Sequence, residues 1–413
     1  MKSSPVTGVV RWWTLVRYGR FAEAAAQFTQ LVLRPKTTVE APAETGEAAS
    51  DVQPQRPLFA LPPLPQPRRG SLAPPARRTA PRAPSRSRRL WPRRAAPATG
   101  RRHAVAGTFA ARSSIGAAGS RDYKLYVPSG YHGAPCPLIV MLHGCGQSVD
   151  DFAAGTKMNA VADEFGCLVA YPAQSASANR AKCWNWFNPR DQQRGIGEPA
   201  IVVDIVREIA RDCAVDPLRI YAAGLSAGGS AAAVLGEQYP DVFAAIGIHS
   251  GVACGVAHDV SSAFDVMNGR TLNARAAWLE SQSQGRRQPV PTVIFHGDRD
   301  RTIHPSNGDL IVASVPGAGL QSTAETDRVS GGHAYTRQQL RDASGRLVVE
   351  RWTIHGAGHA WSGGDRSHSY TDPAGPDASE AMLRFFLAHR RSALVRVVSS
   401  SRAERNGVDE VES

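Results

Sequence analysis

Residues Ile220 to Gly229 read Ile-Tyr-Ala-Ala-Gly-Leu-Ser-Ala-Gly-Gly. A short β-rich run breaks into a Gly-x-Ser-x-Gly turn, and an alanine-rich stretch from Ser230 to Gln238 follows with helical character. The order constrains the fold, because a strand that turns directly into a helix is the building unit of a parallel sheet. It also constrains the chemistry. A serine on a tight strand-to-helix turn holds its hydroxyl clear of the backbone, and the next N–H, that of Ala227, points where an oxyanion would form. Gly224 and Gly228 leave room for the bend. Ser226 is the candidate nucleophile. The motif is weak alone, since glycine-rich turns carry solvated serines too.

Partners for the serine follow downstream. Val290 to His296 is a short apolar, β-branched run, which reads as a buried strand. Beyond it lie Asp298 and Asp300, and an acid past the end of a core strand is where a third triad member belongs. Asp300 is the better choice and Asp298 the alternative. Leu347 to Ile354 reads as a last strand and leads into His355-Gly-Ala-Gly-His359. His359, on a glycine-flanked loop, can take the hydroxyl proton and return it to the leaving alkoxide. His355 reads as the strand's end. Asp300 would then fix the tautomer of His359. Nucleophile, acid, base is the chain order of α/β-hydrolases. Upstream, Cys136 to Leu142 reads as a strand running into His143-Gly144-Cys145. A loop there can supply the second oxyanion donor, the N–H of Cys145, beside that of Ala227. No HExxH or paired CxxC occurs, which argues against zinc.

Strand candidates (124–127, 138–142, 168–171, 219–223, 244–249, 292–295 and 347–354) alternate with helix candidates (152–165, 200–212, 230–239, 272–282, 307–314 and 378–389). In the helix at 200–212, Ile201, Ile205 and Ile209 share one face, while Arg207, Glu208 and Arg211 share the other. Alternation of this kind predicts an α/β fold with a mostly parallel sheet and helices on both faces. Active residues then collect at the carboxyl ends of the strands. No insertion is long enough for a large lid, which suits a polymer or a bulky ester.

Four words, Leu142-His-Gly-Cys-Gly-Gln147, Cys183-Trp-Asn-Trp-Phe187, Gly224-Leu-Ser-Ala-Gly-Gly229 and Gly358-His-Ala-Trp-Ser-Gly-Gly364, resemble the polyhydroxybutyrate depolymerase/esterase family. That family is related to the feruloyl and acetylxylan carbohydrate esterases. The likeness covers roughly residues 105 to 390. It implies an α/β-hydrolase fold, no metal or organic cofactor, hydrolysis of carboxylic esters, and the triad Ser226, Asp300, His359.

Trp184, Trp186 and Trp361 fall in loop-like segments beside these words and can form a platform for an acyl chain or an aromatic acid. The bland alternative is core packing.

The chain has 413 residues and a formal charge of +12, but the charge is not evenly spread. Residues 1–103 hold 19 of the 48 basic side chains and 5 of the 36 acidic ones, a balance of +14, which leaves −2 for the rest. Between Asp51 and Asp122 there is no acidic residue. Proline-rich, like-charged sequence cannot build a core, so 36–104 is expected to be a disordered basic linker. Before it, Val9, Trp12, Trp13, Val16, Phe21, Ala25, Phe28 and Val32 fall at helical spacing, interrupted by Arg11, Arg17 and Arg20. Residues 1–35 are thus read as a basic amphipathic helix that can lie on a lipid or polyester surface. The hydrolase domain is placed at 105–392 and a disordered tail at 393–413. The leader suggests contact with an anionic surface or a granule, with no specific nucleic acid and no transmembrane segment. No secretory segment with a cleavage site is recognisable, which favours a cytoplasmic, granule-associated location. Secretion is the alternative, because the family includes extracellular enzymes. Cysteines 136, 145, 167, 183, 213 and 254 give no pairing pattern, and a reducing cytosol would keep most of them as buried thiols.

The expected function is therefore a serine carboxylic-ester hydrolase working through an acyl-enzyme on poly- or oligo-hydroxybutyrate-type esters. A feruloyl or acetylxylan-type esterase is the alternative. A reading of another class is a basic nucleic-acid or membrane binding protein whose hydrolase domain is inactive. Thioesterase or peptidase activity is also open to the same triad.

Overall fold

The structure, a computed structural model, describes residues 107–270, 289–315 and 319–391. The expected leader helix, linker, C-terminal tail, domain boundaries and helix 272–282 lie outside the described residues.

Ten strands form one sheet: β1 Thr108–Gly116, β2 Gly119–Val127, β3 Cys136–Leu142, β4 Leu168–Pro172, β5 Val215–Leu225, β6 Ala245–His249, β7 Thr292–Gly297, β8 Gln321–Arg328, β9 Ala334–Arg341 and β10 Leu347–Ile354. Their order is β1-β2-β4-β3-β5-β6-β7-β10-β9-β8. The central run from β4 to β10 is parallel throughout. Antiparallel pairings occur only toward the two ends, where β2 joins β4 and β1 on one side and β9 joins β10 and β8 on the other. Every seven-residue position of β3 is buried, as are all of β4, β6 and β7. Such continuous apolar runs are what a sheet covered on both faces demands.

The covering helices are α1 Val149–Thr156, α2 Met158–Phe165, α3 Gly197–Asp212, α4 Ala227–Gln238, α5 Val260–Met267, α6 Asn307–Ser314 and α7 Ala378–Leu387. Side chains alternate across a strand, and β3 shows the consequence. Leu138, Val140 and Leu142 join the core formed with α3 and α4, which contribute Ile205, Ile209 and Leu235. Ile139 and Met141 join the opposite core, with Met158 and Ala162 of α2 and Met382 and Phe386 of α7. Ile201, Ile205 and Ile209 are buried as their spacing predicts, whereas Arg207 and Arg211 are exposed.

Three differences from the sequence reading have physical causes. The helix expected at 152–165 is two helices, because Lys157 turns left-handed at φ 57° and its N–H closes on the Ala154 carbonyl. α5 begins where Asp259 and Ser262 cap each other reciprocally. Strands β1, β8 and β9 had no apolar run to announce them; every residue of β8 is exposed.

The parallel strands deliver their C-termini to one rim. There β5 meets α4 at unusually close backbone range. A Cβ on Gly228 would stand 2.0 Å from the Leu142 carbonyl oxygen and 2.7 Å from that of His143. A Cβ on Gly224 would stand 2.4 Å from the Gly228 backbone. Only glycine permits this packing. We expect Gly228→Ala to destabilise the domain by about 3 kcal/mol, read as a lowered urea midpoint; an unchanged midpoint would mean that this close approach is absent.

Two histidines end core strands and are fully buried, His143 after β3 and His249 at the end of β6. Burial pushes the His143 ring down from 6.5 to about 4, against the pull of its bond to the Gly144 carbonyl. Burial and the neighbouring rings of His296 and His359 push His249 down to about 3. Both stay neutral in the folded state where an unfolded histidine would bind a proton. The unfolded chain therefore takes up more protons below about pH 6.5, and stability must fall as pH drops from there toward about 4. Urea midpoints measured from about pH 7 to about pH 5 should decrease; a flat profile would contradict neutral burial of these rings.

Candidate active site

Ser226 caps α4 with φ 58° and ψ −122°, a conformation that a non-glycine residue adopts only when its surroundings impose it. Its N–H donates to the His249 carbonyl at 2.9 Å, and its own carbonyl accepts from Ser230 N–H at 3.0 Å. Ser226 is 7% exposed, so little solvent reaches it. The Ala227 N–H follows at the first position of α4, where helix geometry leaves amide donors without intrahelical partners.

Asp300 lies just beyond β7. Its Oδ1 accepts the N–H groups of Thr302 and Ile303 at 2.8 and 2.9 Å, and its Oδ2 stands 2.7 Å from His359 Nδ1. His296 Nε2 is also 3.5 Å from Oδ2 while donating to the Ile303 carbonyl. Burial pushes the Asp300 carboxyl up, but the His359 ring, His296 and the Ile303 N–H outweigh it and hold the group at about 2. A carboxylate at that value is ionised at neutral pH, so the proton between the two belongs to His359 Nδ1. The Nε2 lone pair is then the basic face of the ring. That Nε2 is buried and makes no hydrogen bond, so Ser226 Oγ is not hydrogen-bonded to it. In unliganded hydrolases the nucleophile–base hydrogen bond often forms only once substrate is bound. Asp298 pairs instead with His355, at 2.9 Å from its Nδ1, and accepts Gly356 N–H. The structure thus brings Asp300, not Asp298, to His359.

The turn after β3 reaches the same place. A Cβ on Gly144 would be 3.7 Å from Ser226 Cβ. Gly144 N–H is taken by Gln147 Oε1 at 2.9 Å and Gly146 N–H by the Ala181 carbonyl at 2.9 Å. Both neighbours of Cys145 have therefore committed their donors. The His143 ring, accepting Gln174 N–H at Nε2 and donating from Nδ1 to the Gly144 carbonyl, fixes the start of the turn. Cys145 is joined to Cys183. This corrects, at one pair, the expectation of mostly reduced cysteines. Cys136 and Cys167 are buried thiols.

The tryptophans correct the expectation of an open substrate wall. Trp184 and Trp361 are 1% exposed and Trp186 is 8% exposed. Trp184 Nε1 donates to the His143 carbonyl at 3.1 Å, with the Arg121 guanidinium over its ring. Trp361 donates to Ser379 Oγ and stacks on His249. Trp186 packs edge-on to Phe187. These indoles support the rim from behind.

Sequence reasoning missed His249. Its carbonyl holds the Ser226 N–H, and its ring Nε2 accepts Ser362 N–H at 3.0 Å, so one residue ties the serine turn to the segment after His359. A histidine closing an otherwise apolar strand, Ala-Ile-Gly-Ile-His, was the available signal. Gln147 was also missed. Its amide nitrogen donates to the Ser369 carbonyl at 3.2 Å and to Ser369 Oγ at 3.1 Å, linking the turn after β3 to the loop beyond His359. No helix among the described residues is long and apolar enough to cross a membrane.

Comparison with known proteins agrees with this architecture. The acetyl xylan esterase from Aspergillus awamori superposes with a TM-score of 0.53 at 17% identity, over 68% of this chain and 100% of that one, which supports the α/β-hydrolase fold. The poly(3-hydroxyalkanoate) depolymerase C of Paucimonas lemoignei is 34% identical over 239 residues, 57% of each chain. The feruloyl esterase B of Thermothelomyces thermophilus is 33% identical over 196 residues, 44% of this chain and 64% of the relative. The chain thus spans about half the length of the depolymerases it matches. The family model described as esterase PHB depolymerase matches residues 121–328, from before the turn at His143 to beyond the Asp300 loop. Half of the chain lies within that match, and the protein belongs to the esterase PHB depolymerase family of carboxylic ester hydrolases.

Proposed function

We propose that this protein is a serine esterase working through an acyl-enzyme, with Ser226 as nucleophile, His359 as base and Asp300 as its orienting acid. The single observation that carries this is the 2.7 Å contact of Asp300 with His359 Nδ1, which orients the ring so that Nε2, buried and without a hydrogen-bond partner, is the nitrogen left for Ser226. In this reading Nε2 takes the Ser226 proton as Oγ adds to the ester carbonyl. The N–H groups of Ala227 and Cys145 receive the oxyanion. The imidazolium then protonates the departing alkoxide, and water repeats the sequence to release the acid. The role of Cys145 is supported by its neighbours, whose N–H groups are committed to Gln147 Oε1 and to the Ala181 carbonyl.

For the substrate we propose poly- or oligo-hydroxybutyrate-type esters, in keeping with the depolymerase relatives at 34% and 29% identity. A feruloyl-type ester is the second reading, favoured by a feruloyl esterase at almost the same identity, 33%. The basic leader is proposed to meet an anionic surface, on its sequence charge alone. We also place the protein in an oxidising compartment, because a disulfide persists there and not in a glutathione-reduced cytosol. The disulfide argues against the cytoplasmic location that the sequence suggested.

Ser226→Ala should abolish p-nitrophenyl butyrate turnover. Asp300→Asn should lower kcat by about 10⁴-fold, while Asp298→Asn stays within a few-fold of the parent. Equal losses at 298 and 300 would refute the assignment of the acid. Reducing the Cys145–Cys183 bond, or replacing Cys183 by Ser, opens a loop of 38 residues. That should cost about 3–4 kcal/mol of stability and lower kcat through the displaced Cys145 N–H. Full activity with both thiols titrated as free would show that the bond does not hold the oxyanion turn.

A further inference from the structure

One buried carboxylate has no part in the ester chemistry. Glu198 sits in the first turn of α3, 7% exposed. Its Oε2 accepts Asn185 N–H at 2.7 Å, and its Oε1 accepts Asn185 Nδ2 at 2.8 Å and Gln174 Nε2. Three donors converge on it, and among the described residues no ion pair engages it. A carboxylate withdrawn from water is costly unless it is bonded in this way, so the arrangement needs a reason.

The partners of those donors supply one. Gln174 reaches the turn after β3 by two routes. Its backbone N–H donates to His143 Nε2 at 3.0 Å, and its Nε2 donates to the Cys183 carbonyl at 2.8 Å. Its amide cannot turn over, because Oε1 already accepts Arg121 Nη1 and Ser175 N–H. Asn185 accepts from Asn179 Nδ2 at 2.8 Å, and Asn179 in turn holds Ala181 N–H at 2.9 Å. Three residues of the 179–185 loop grip the turn: the Ala181 carbonyl takes Gly146 N–H, Cys183 is bonded to Cys145, and Trp184 donates to the His143 carbonyl. Every one of these links runs from Glu198 toward residues 143–146.

We infer that Glu198 is a positioning residue for the oxyanion turn: its carboxylate fixes the 179–185 loop and Gln174, and through them sets where the Cys145 N–H points. This rests on the proposed role of Cys145 in the acyl transfer. The Glu198 carboxylate bonds only to Gln174 and Asn185 among the described residues, so its effect on the turn passes through them. Glutamine at 198 preserves the shape but places an NH₂ against donors, so at least one of the three bonds is lost. Burial pushes the Glu198 carboxyl up to about 7. The Asp191 charge adds to this, while the bonds from Gln174 and Asn185 and the Arg121 charge oppose it.

The test compares Glu198→Gln with the parent in the full chain, using p-nitrophenyl butyrate, with rates normalised to active sites titrated by the acylation burst. We expect kcat per site to fall about tenfold or more with KM nearly unchanged, since an oxyanion donor acts in the transition state and not in ground-state binding. A trifluoromethyl ketone, whose tetrahedral adduct occupies the same donors, should lose affinity by a similar factor, while inhibition by butyrate stays the same. Glu198→Asp should recover part of the loss. Asn185→Ala, which removes one arm of the network, should show a smaller loss of the same kind. Unchanged kcat per site and ketone affinity would overturn the inference. So would a loss confined to the number of titratable sites, which would mark Glu198 as merely structural. Persistence of turnover in Ser226→Ala would instead overturn the acyl-enzyme reading itself, and the two failures are therefore separable.

Discussion

Ser226 holds a backbone conformation that L-residues avoid, and the packing around it explains how. Its N–H is tied to the His249 carbonyl. The helix behind it presses a glycine, Gly228, against the carbonyls that end β3. Three central strands meet at this point, so the nucleophile position, the oxyanion turn and the loop carrying His359 share one set of backbone contacts. The strain at Ser226 is of order 1–3 kcal/mol and is small beside the apolar burial of a ten-stranded sheet with helices on both faces. The geometry at the rim thus depends on a strand–helix contact at Gly224 and Gly228 that leaves no room for an added methyl group.

Above that core the polar bonds form two supporting systems. Asp300 satisfies both its oxygens, one on backbone amides and one on His359, and so presents a single ring face to the serine. The oxyanion turn is gripped from one side by Gln147 and Ser369. From the other side it is gripped by the disulfide, Trp184 and the Glu198–Gln174 network. The large indoles serve this scaffolding, which is why they are buried where a substrate platform was expected.

The legible part of this protein was the part whose side chains face two hydrophobic layers. β3, β6 and β7 announce themselves as uninterrupted apolar runs, and α3 by its isoleucine stripe. The Gly-x-Ser-x-Gly turn could be placed because a strand and a helix flank it in sequence. Strands β8 and β9 could not be read, since Gln-Ser-Thr-Ala-Glu-Thr-Asp-Arg is solvated on both faces and carries no period. The break at Lys157 was hidden because a left-handed lysine has no compositional mark. At the site, side chains at strand ends were predictable by position, but their partners were not. Nothing in the spacing of Cys145 and Cys183, or of Gln174 and Glu198, says that they meet. Those contacts are products of tertiary closure over loops of 38 and 24 residues.

The central claim is that the strained serine becomes covalently acylated. Rapid-quench mass spectrometry of the full chain with p-nitrophenyl butyrate, followed by peptide mapping, tests it most directly. The account predicts one butyryl group per chain within the first turnover, located on Ser226 and absent when Ser226 is replaced by alanine. A butyryl group on any other residue, or hydrolysis with no acylated intermediate at any quench time, would contradict it.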